Sequence, residues 1–336
     1  MSTPQKIRLS VLDQSPIREG GTGADALQDS IDLAQAVEKL GYHRYWVAEH
    51  HGSEGLASAS PEILVTRIAA ETDTIRVGSG GVMLSHYSPY KVAENFLMLE
   101  AMFPNRIDLG IGRAPGSDHP TAHALAYGGD VGVENFPAMI SDLSGFLNDS
   151  LEDDHPFRMV KARPHTNNTP PIWLLGSSNY SAAYAAHFGL AFSFAHFITP
   201  IGGDAVMRAY QDQFQIAGVL DAPKSNVGIF VICADTEDEA NKLITSRDLM
   251  RLRADRGVHG PVPSVEEAMA YPNSDAERER VLQNRERAIF GSPEQVKKQI
   301  LELSERYQCD EFVVLTACHK FQARLRSYEL LAELFA

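Results

Sequence analysis

Short apolar runs alternate along the chain with stretches whose apolar positions recur every three or four residues. Residues 7–12, Ile-Arg-Leu-Ser-Val-Leu, read as a first strand. Leu27, Ile31, Ala34, Val37 and Leu40 then keep helical spacing until Gly41 ends the helix. Residues 45–48 form a second apolar run, and further strands fit 75–82, 106–111, 171–175, 190–195, 227–233 and 311–315. Ser60-Pro61, Ser88-Pro89 and Ser292-Pro293 each read as a helix start, serine capping the free amides and proline losing nothing at the first position. Helices also fit 134–147, 180–188, 204–217, 237–253 and 321–334.

Eight or nine strands alternating with helices imply parallel pairing in βαβ units. A doubly wound sheet would carry a glycine-rich dinucleotide loop after its first strand, and Gly20, Gly21 and Gly23 do not match that spacing. The pattern therefore predicts a closed (β/α)8 TIM barrel. The 336 residues allow about 42 for each of eight units. Residues 1–336 read as one domain. Residues 256–287, with Pro261, Pro263, Pro272 and then a charge-rich run, read as a mobile loop or lid before the last unit.

Composition narrows the function. Apolar residues make up 44% and charged ones 22%, the balance of an ordinary globular chain, and a net charge of −14 disfavours nucleic acid as a partner. Cys233, Cys309 and Cys318 are scattered, which suits a reducing cytoplasm rather than a disulfide framework. Met1–Arg8 shows no signal peptide. Residues 164–203 contain no Asp, Glu, Lys or Arg, but prolines, asparagines and serines interrupt them, so a buried segment is expected and not a membrane span.

Barrel active sites lie at the C-terminal ends of the strands. Those ends carry Glu49-His50-His51, Gly80-Gly81, Arg113 after Gly110-Ile111-Gly112, Gly176-Ser177-Ser178-Asn179-Tyr180-Ser181, and His196. The 176–181 run opens a helix straight off a strand, where free amides and the positive helix end favour an anion, and Arg113 supplies a mobile charge. A phosphate is the expected occupant; serines that only cap the helix are the plainer reading. Glu49, His50 and His51 would chelate a metal poorly, because neighbours on a strand point to opposite faces. No metal is expected, and His50 reads as an acid or base with a pKa near neutral. Gly80-Gly81 leaves room for a flat ligand against the backbone, or marks a barrel corner.

Taken together, Trp46–His51, Val77–Val82, Arg106–Asp118, Ile172–Ser178 and Ala323–Leu330 resemble the bacterial luciferase-like flavin monooxygenases, nearest to the single-chain group that includes antibiotic-pathway tailoring enzymes. That resemblance spans nearly the whole chain except 256–287. It implies a luciferase-like barrel holding FMN, commonly as a homodimer. It places His50 as the catalytic imidazole, Gly80-Gly81 on a cis peptide behind the flavin ring, and Arg113, Ser178 and Ser181, with Ser177 beside them, on the phosphate. The reactive cysteine of luciferase falls on Gly112, and the arginine pair that close relatives carry near 124–127 is missing. Weak binding of oxidised FMN follows, suiting an enzyme that borrows reduced FMN from a separate flavin reductase. The expected reaction uses O2 to oxygenate a small apolar organic substrate such as an aldehyde or a polyketide intermediate. Trp46, Met83, Phe194, His196 and Phe197 are the expected pocket lining. A deazaflavin-dependent hydride-transfer enzyme, a non-catalytic flavin-binding protein and a metal-dependent hydrolase are the competing readings.

Overall fold

The computed structural model describes residues 6–129 and 131–336. Nine strands form one parallel sheet: β1 (Arg8–Asp13), β2 (Arg44–Val47), β3 (Arg76–Met83), β4 (Ile107–Gly112), β5 (Ile172–Gly176), β6 (Ala191–Ala195), β7 (Ser225–Cys233), β8 (Ala288–Gly291) and β9 (Glu311–Leu315). Between β1 and β5 run helices α1 (Gly23–Lys39), α2 (Pro61–Ala70), α3 (Pro89–Met102), α4 (His119–Leu125) and α5 (Phe136–Asn148). After β5 come α6 (Asn179–His187), α7 (Gly203–Gln213), α8 (Glu237–Ala254), α9 (Val265–Ala270), α10 (Asp275–Arg285), α11 (Pro293–Tyr307) and α12 (Phe321–Phe335).

Strands β1 to β7 pair in succession, β7 pairs β9, and β9 pairs β1, so eight strands close into a barrel. The ninth, β8, lies outside that ring and pairs only the C-terminal half of β7, Phe230 with Ala288 through Cys233 with Gly291. Its four residues follow directly on an arginine-rich stretch, too short a run to stand out by periodicity.

Alternation along the strands divides the core. Tyr45, Val47, Phe192, Phe194, Ile229 and Val231 pack outward under the helices. Leu12, Trp46, Trp173, Phe230, Ile232 and Leu315 form an inner cluster. The floor of the barrel is ionic. Arg44 bonds both Asp108 and Glu311 at 2.6 Å, Arg76 reaches Asp108 at 2.6 Å, and the Trp46 indole N–H donates to Asp108 at 3.0 Å. Arg324 on α12 pairs Asp13 at the end of β1 at 2.6 Å, which gives the C-terminal motif an anchoring role.

Two expectations change. The hydroxyls of Ser60 and Ser88 make no capping bond; the proline that follows each has already removed one amide needing a partner. At the third such start the Gln295 side chain accepts the Ser292 N–H at 2.9 Å. The segment 256–287, without helical periodicity in its apolar residues, holds α9 and α10, each begun by a serine cap, Ser264 and Ser274. It is tied to the first loop of the barrel, where Val262 pairs Arg18.

Candidate active site

The four strand ends from β2 to β5 converge on one part of the rim. After β2 the chain turns sharply, and the Glu49 carboxylate folds back, almost fully buried. It accepts the Met83 N–H at 3.0 Å and the Tyr87 hydroxyl at 2.7 Å, and pairs the His51 ring at 2.7 Å. Glu49 therefore ties the end of β2 to the end of β3, and it is engaged by protein groups rather than free to hold an ion. Among the described residues no group of three His, Cys, Asp or Glu side chains is arranged for a metal.

His50, between these two, is held by its backbone: its N–H donates to the Ser58 carbonyl at 2.9 Å. Its ring atom Nδ1 is buried without a partner among the described residues. Burial, and then the neighbouring His51, push its pKa down to about 4. The expectation of a near-neutral imidazole is thus corrected: desolvation keeps His50 neutral across the physiological range. A neutral ring with one unengaged nitrogen can accept a proton or donate a hydrogen bond to a bound molecule.

Next to it, the Gly80–Gly81 peptide is cis, as the resemblance implies. A Cβ on Gly80 would lie 2.7 Å from Leu12 Cδ1 and 2.9 Å from Trp46 Cβ. One on Gly81 would lie 2.7 Å from the Gly110 carbonyl. Neither position can carry a side chain, and β3 presents bare backbone here. Trp46 is fully buried beneath that backbone, a floor rather than a wall. Met83 stands beside Gly116, and a Cβ on Gly112 would meet only its sulfur, at 3.7 Å.

The helix start after β5 is built as a cap. Ser178 Oγ accepts the Ser181 N–H at 3.4 Å, and the two hydroxyls are 3.4 Å apart. Arg113, arriving from β4, lays its guanidinium over the Tyr180 ring at 5.9 Å. Among the described residues no carboxylate pairs with Arg113, so a free cation and a helix N-terminus share one acid-free corner with Ser177, Ser178 and Ser181. Tyr180, within the 176–181 run, is a member that the run's serines and glycine overshadow in sequence; Tyr87 likewise follows a histidine that draws more notice.

Two expected pocket residues lie elsewhere. Phe194 follows Phe192 on the outer face of β6, and His196 lies in the turn just past its end. Phe194 packs in the outer core, and His196 Nδ1 meets the Tyr307 hydroxyl at 2.8 Å on α11. Burial, with Arg306 nearby, lowers the His196 pKa to about 4. Phe197 turns back inward and packs on the inner cluster with Leu175. A separate cavity of about 570 Å³ opens at the N-terminal ends of β5 and β6, lined by Trp173 and Lys224. It lies at the opposite end of the barrel from these groups.

The chain matches the model of the luciferase-like monooxygenase family over residues 7–308. YceB of Bacillus subtilis, an uncharacterised protein, is 47% identical over 98% of this chain and 99% of its own length. The N-acetyl-S-alkylcysteine monooxygenase of Bacillus subtilis is 39% identical, over 97% of this chain and 98% of its own. The solved structure of apo-MsnO8 is similar at a TM-score of 0.89 and 39% identity, covering 98% of each chain. The chain is a monooxygenase and belongs to the luciferase-like monooxygenase family.

Proposed function

We propose that this protein is the oxygenating half of a two-component FMN monooxygenase, taking reduced FMN from a separate flavin reductase and oxygenating a small organic substrate. The observation that carries this reading is the acid-free corner of Arg113 and the α6 N-terminus beside the bare Gly80–Gly81 backbone and the unpartnered His50 ring. These groups fit a flavin mononucleotide. Arg113, Ser177, Ser178 and Ser181 would hold its phosphate, and Gly80 and Gly81 would back its ring. Bound reduced FMN supplies two electrons, so that one atom of O2 enters the substrate and the other leaves as water. His50 holds or passes a proton at its unengaged ring nitrogen, and Met83 and Phe197, with Trp46 beneath, keep the mouth apolar and limit water. One phosphate cation in place of several supports weak retention and a borrowed cofactor.

The reading extends to the whole chain as one domain, with residues 256–287 closing over the mouth. Ile63 on α2 and Met98 and Met102 on α3 leave exposed apolar surface that a second copy would cover, which supports a homodimer. Three free, buried cysteines support a reducing, cytoplasmic setting.

Anaerobic titration tests the cofactor. Reduced FMN is expected to bind, and Arg113→Ala to weaken it about 10- to 100-fold, the size of a charge-assisted contact. Preference for a reduced deazaflavin, with no O2 consumed on turnover, would replace this reading with hydride transfer. Flavin bound without turnover of any compound tried would favour a binding protein.

A further inference from the structure

A second group of cations stands on the rim where β7 and β8 rise beyond the barrel. The Arg247 guanidinium lies over the Phe230 ring at 4.6 Å, and that of Arg285 over Phe290 at 5.3 Å. Both rings are on the inner faces of their strands, Phe230 in the inner cluster and Phe290 packed against it. Arg251 lies one turn beyond Arg247 on α8, and Arg287 follows α10. Within this group Arg285 is satisfied by Asp248 at 2.7 Å, and nearby Arg280 by Asp255 at 2.7 Å. No carboxylate pairs with Arg247, Arg251 or Arg287 among the described residues. Among the described residues Arg247 donates only to the Asn284 carbonyl, at 3.2 Å.

Arg251 and Arg287 are half-buried, and Arg247 is buried. Arg247 is 5% exposed. Burial first, then the charge of Arg251, with Arg287 and Arg285 adding and Asp248 opposing, pushes it down to about 10. Burial and Arg287 likewise lower Arg251, whose Nε is a buried donor without an acceptor. The buried Asn284 amide nitrogen also finds no acceptor, and beside it Asp248 Oδ1 is buried without a donor. Like charges held together out of water, with hydrogen-bonding capacity unused, are an arrangement completed by an anion. The planar guanidinium favours a carboxylate, which it can bind through two parallel bonds.

We propose that Arg247, Arg251 and Arg287 bind a carboxylate on the substrate, so that the enzyme oxygenates acids with an apolar body rather than wholly apolar molecules. This rests on the monooxygenase reading above and names the substrate class of that same mouth. The apolar part would lie along Phe230 towards the inner cluster. The cations are separated by β6 from Arg113 and the α6 N-terminus, and so are distinct from the proposed phosphate corner.

The test is binding of three matched pairs, octanoate, 4-phenylbutyrate and N-acetylmethionine, each against its uncharged amide. Binding is read by tryptophan fluorescence and calorimetry on the full chain. At least one acid is expected to bind about tenfold or more tighter than its amide. Arg251→Gln and Arg287→Gln, on the half-buried rim, should each remove most of that preference while reduced FMN binds as before. Arg247→Met is the stronger variant, and circular dichroism checks that it folds. No preference for any acid, or a preference unchanged in both glutamine variants, would overturn the site. So would loss of FMN affinity in those variants, which would mark the cations as further phosphate contacts. Failure of reduced FMN to bind the wild type, with the acid preference intact, would instead strike the cofactor reading alone.

Discussion

His50 acts as it does because of where its ring is, not because of what histidine usually is. Burial holds it neutral with a pKa lowered to about 4, and Nδ1 has no partner among the described residues. If that nitrogen handles the proton of the reaction, His50→Asn should cut turnover about 10²- to 10⁴-fold while reduced FMN still binds. Unchanged turnover would remove His50 from the chemistry. The same physics sets a stability profile. His50 and His196 both titrate near 4 in the fold but near 6.5 when unfolded. The unfolded chain therefore takes up protons between those values that the fold refuses. Stability is full above about 6.5 and falls as the pH drops towards 4. For buried His196 the shift corresponds to roughly 3 kcal/mol. Urea unfolding at pH 7 and pH 4.5 should show a smaller loss in His196→Gln than in the wild type. Equal losses would contradict the assignment. None of this was legible in the sequence, where His50 could be placed at a strand end but its desolvation, a tertiary property, could not.

At the scale of elements, legibility followed the length of the apolar run. All eight barrel strands stand out as runs of four to nine residues and most helices by spacing or a Ser-Pro start, but the short α4 (His119–Leu125) does not. The strand β8 did not, being four residues after a charged stretch, and α9 and α10 were hidden because their amphipathic pattern is weak. The α6 corner was legible because glycine and serine at a strand end have a direct physical meaning, whereas Tyr180 gained its meaning only from Arg113 arriving on another strand. The glycines of β3 were legible as an oddity; their reason is packing. A methyl on Gly81 would meet the backbone of β4, which cannot step aside as a side chain can. Gly81→Ala should therefore destabilise the fold by about 1–3 kcal/mol, measured by chemical denaturation, and reduce flavin affinity. A variant as stable as the wild type would show that β3 and β4 have slack there.

For the whole molecule, a charged network fills one end of the barrel, and the groups proposed for chemistry lie at the other. Arg44, Asp108 and Glu311 are buried together, although 64 and 267 residues separate the arginine from its partners. Such a network has no local signature. Removing one member strands the others in a low-dielectric interior, so Asp108→Ala should lose about 3–5 kcal/mol of stability. A loss below about 1 kcal/mol, the size of an exposed pair, would mean that water reaches the floor. The opposite rim gathers the α6 corner, the bare β3 backbone, His50 and the arginines of α8 and α10. Oxygenation is tested by mixing the protein anaerobically with reduced FMN, admitting O2 rapidly, and following the flavin spectrum with and without the three acid probes. A reoxidation course altered about tenfold or more from that of free reduced FMN is the expected result. Reoxidation indistinguishable from free flavin with every probe present, together with binding of a reduced deazaflavin, would contradict it.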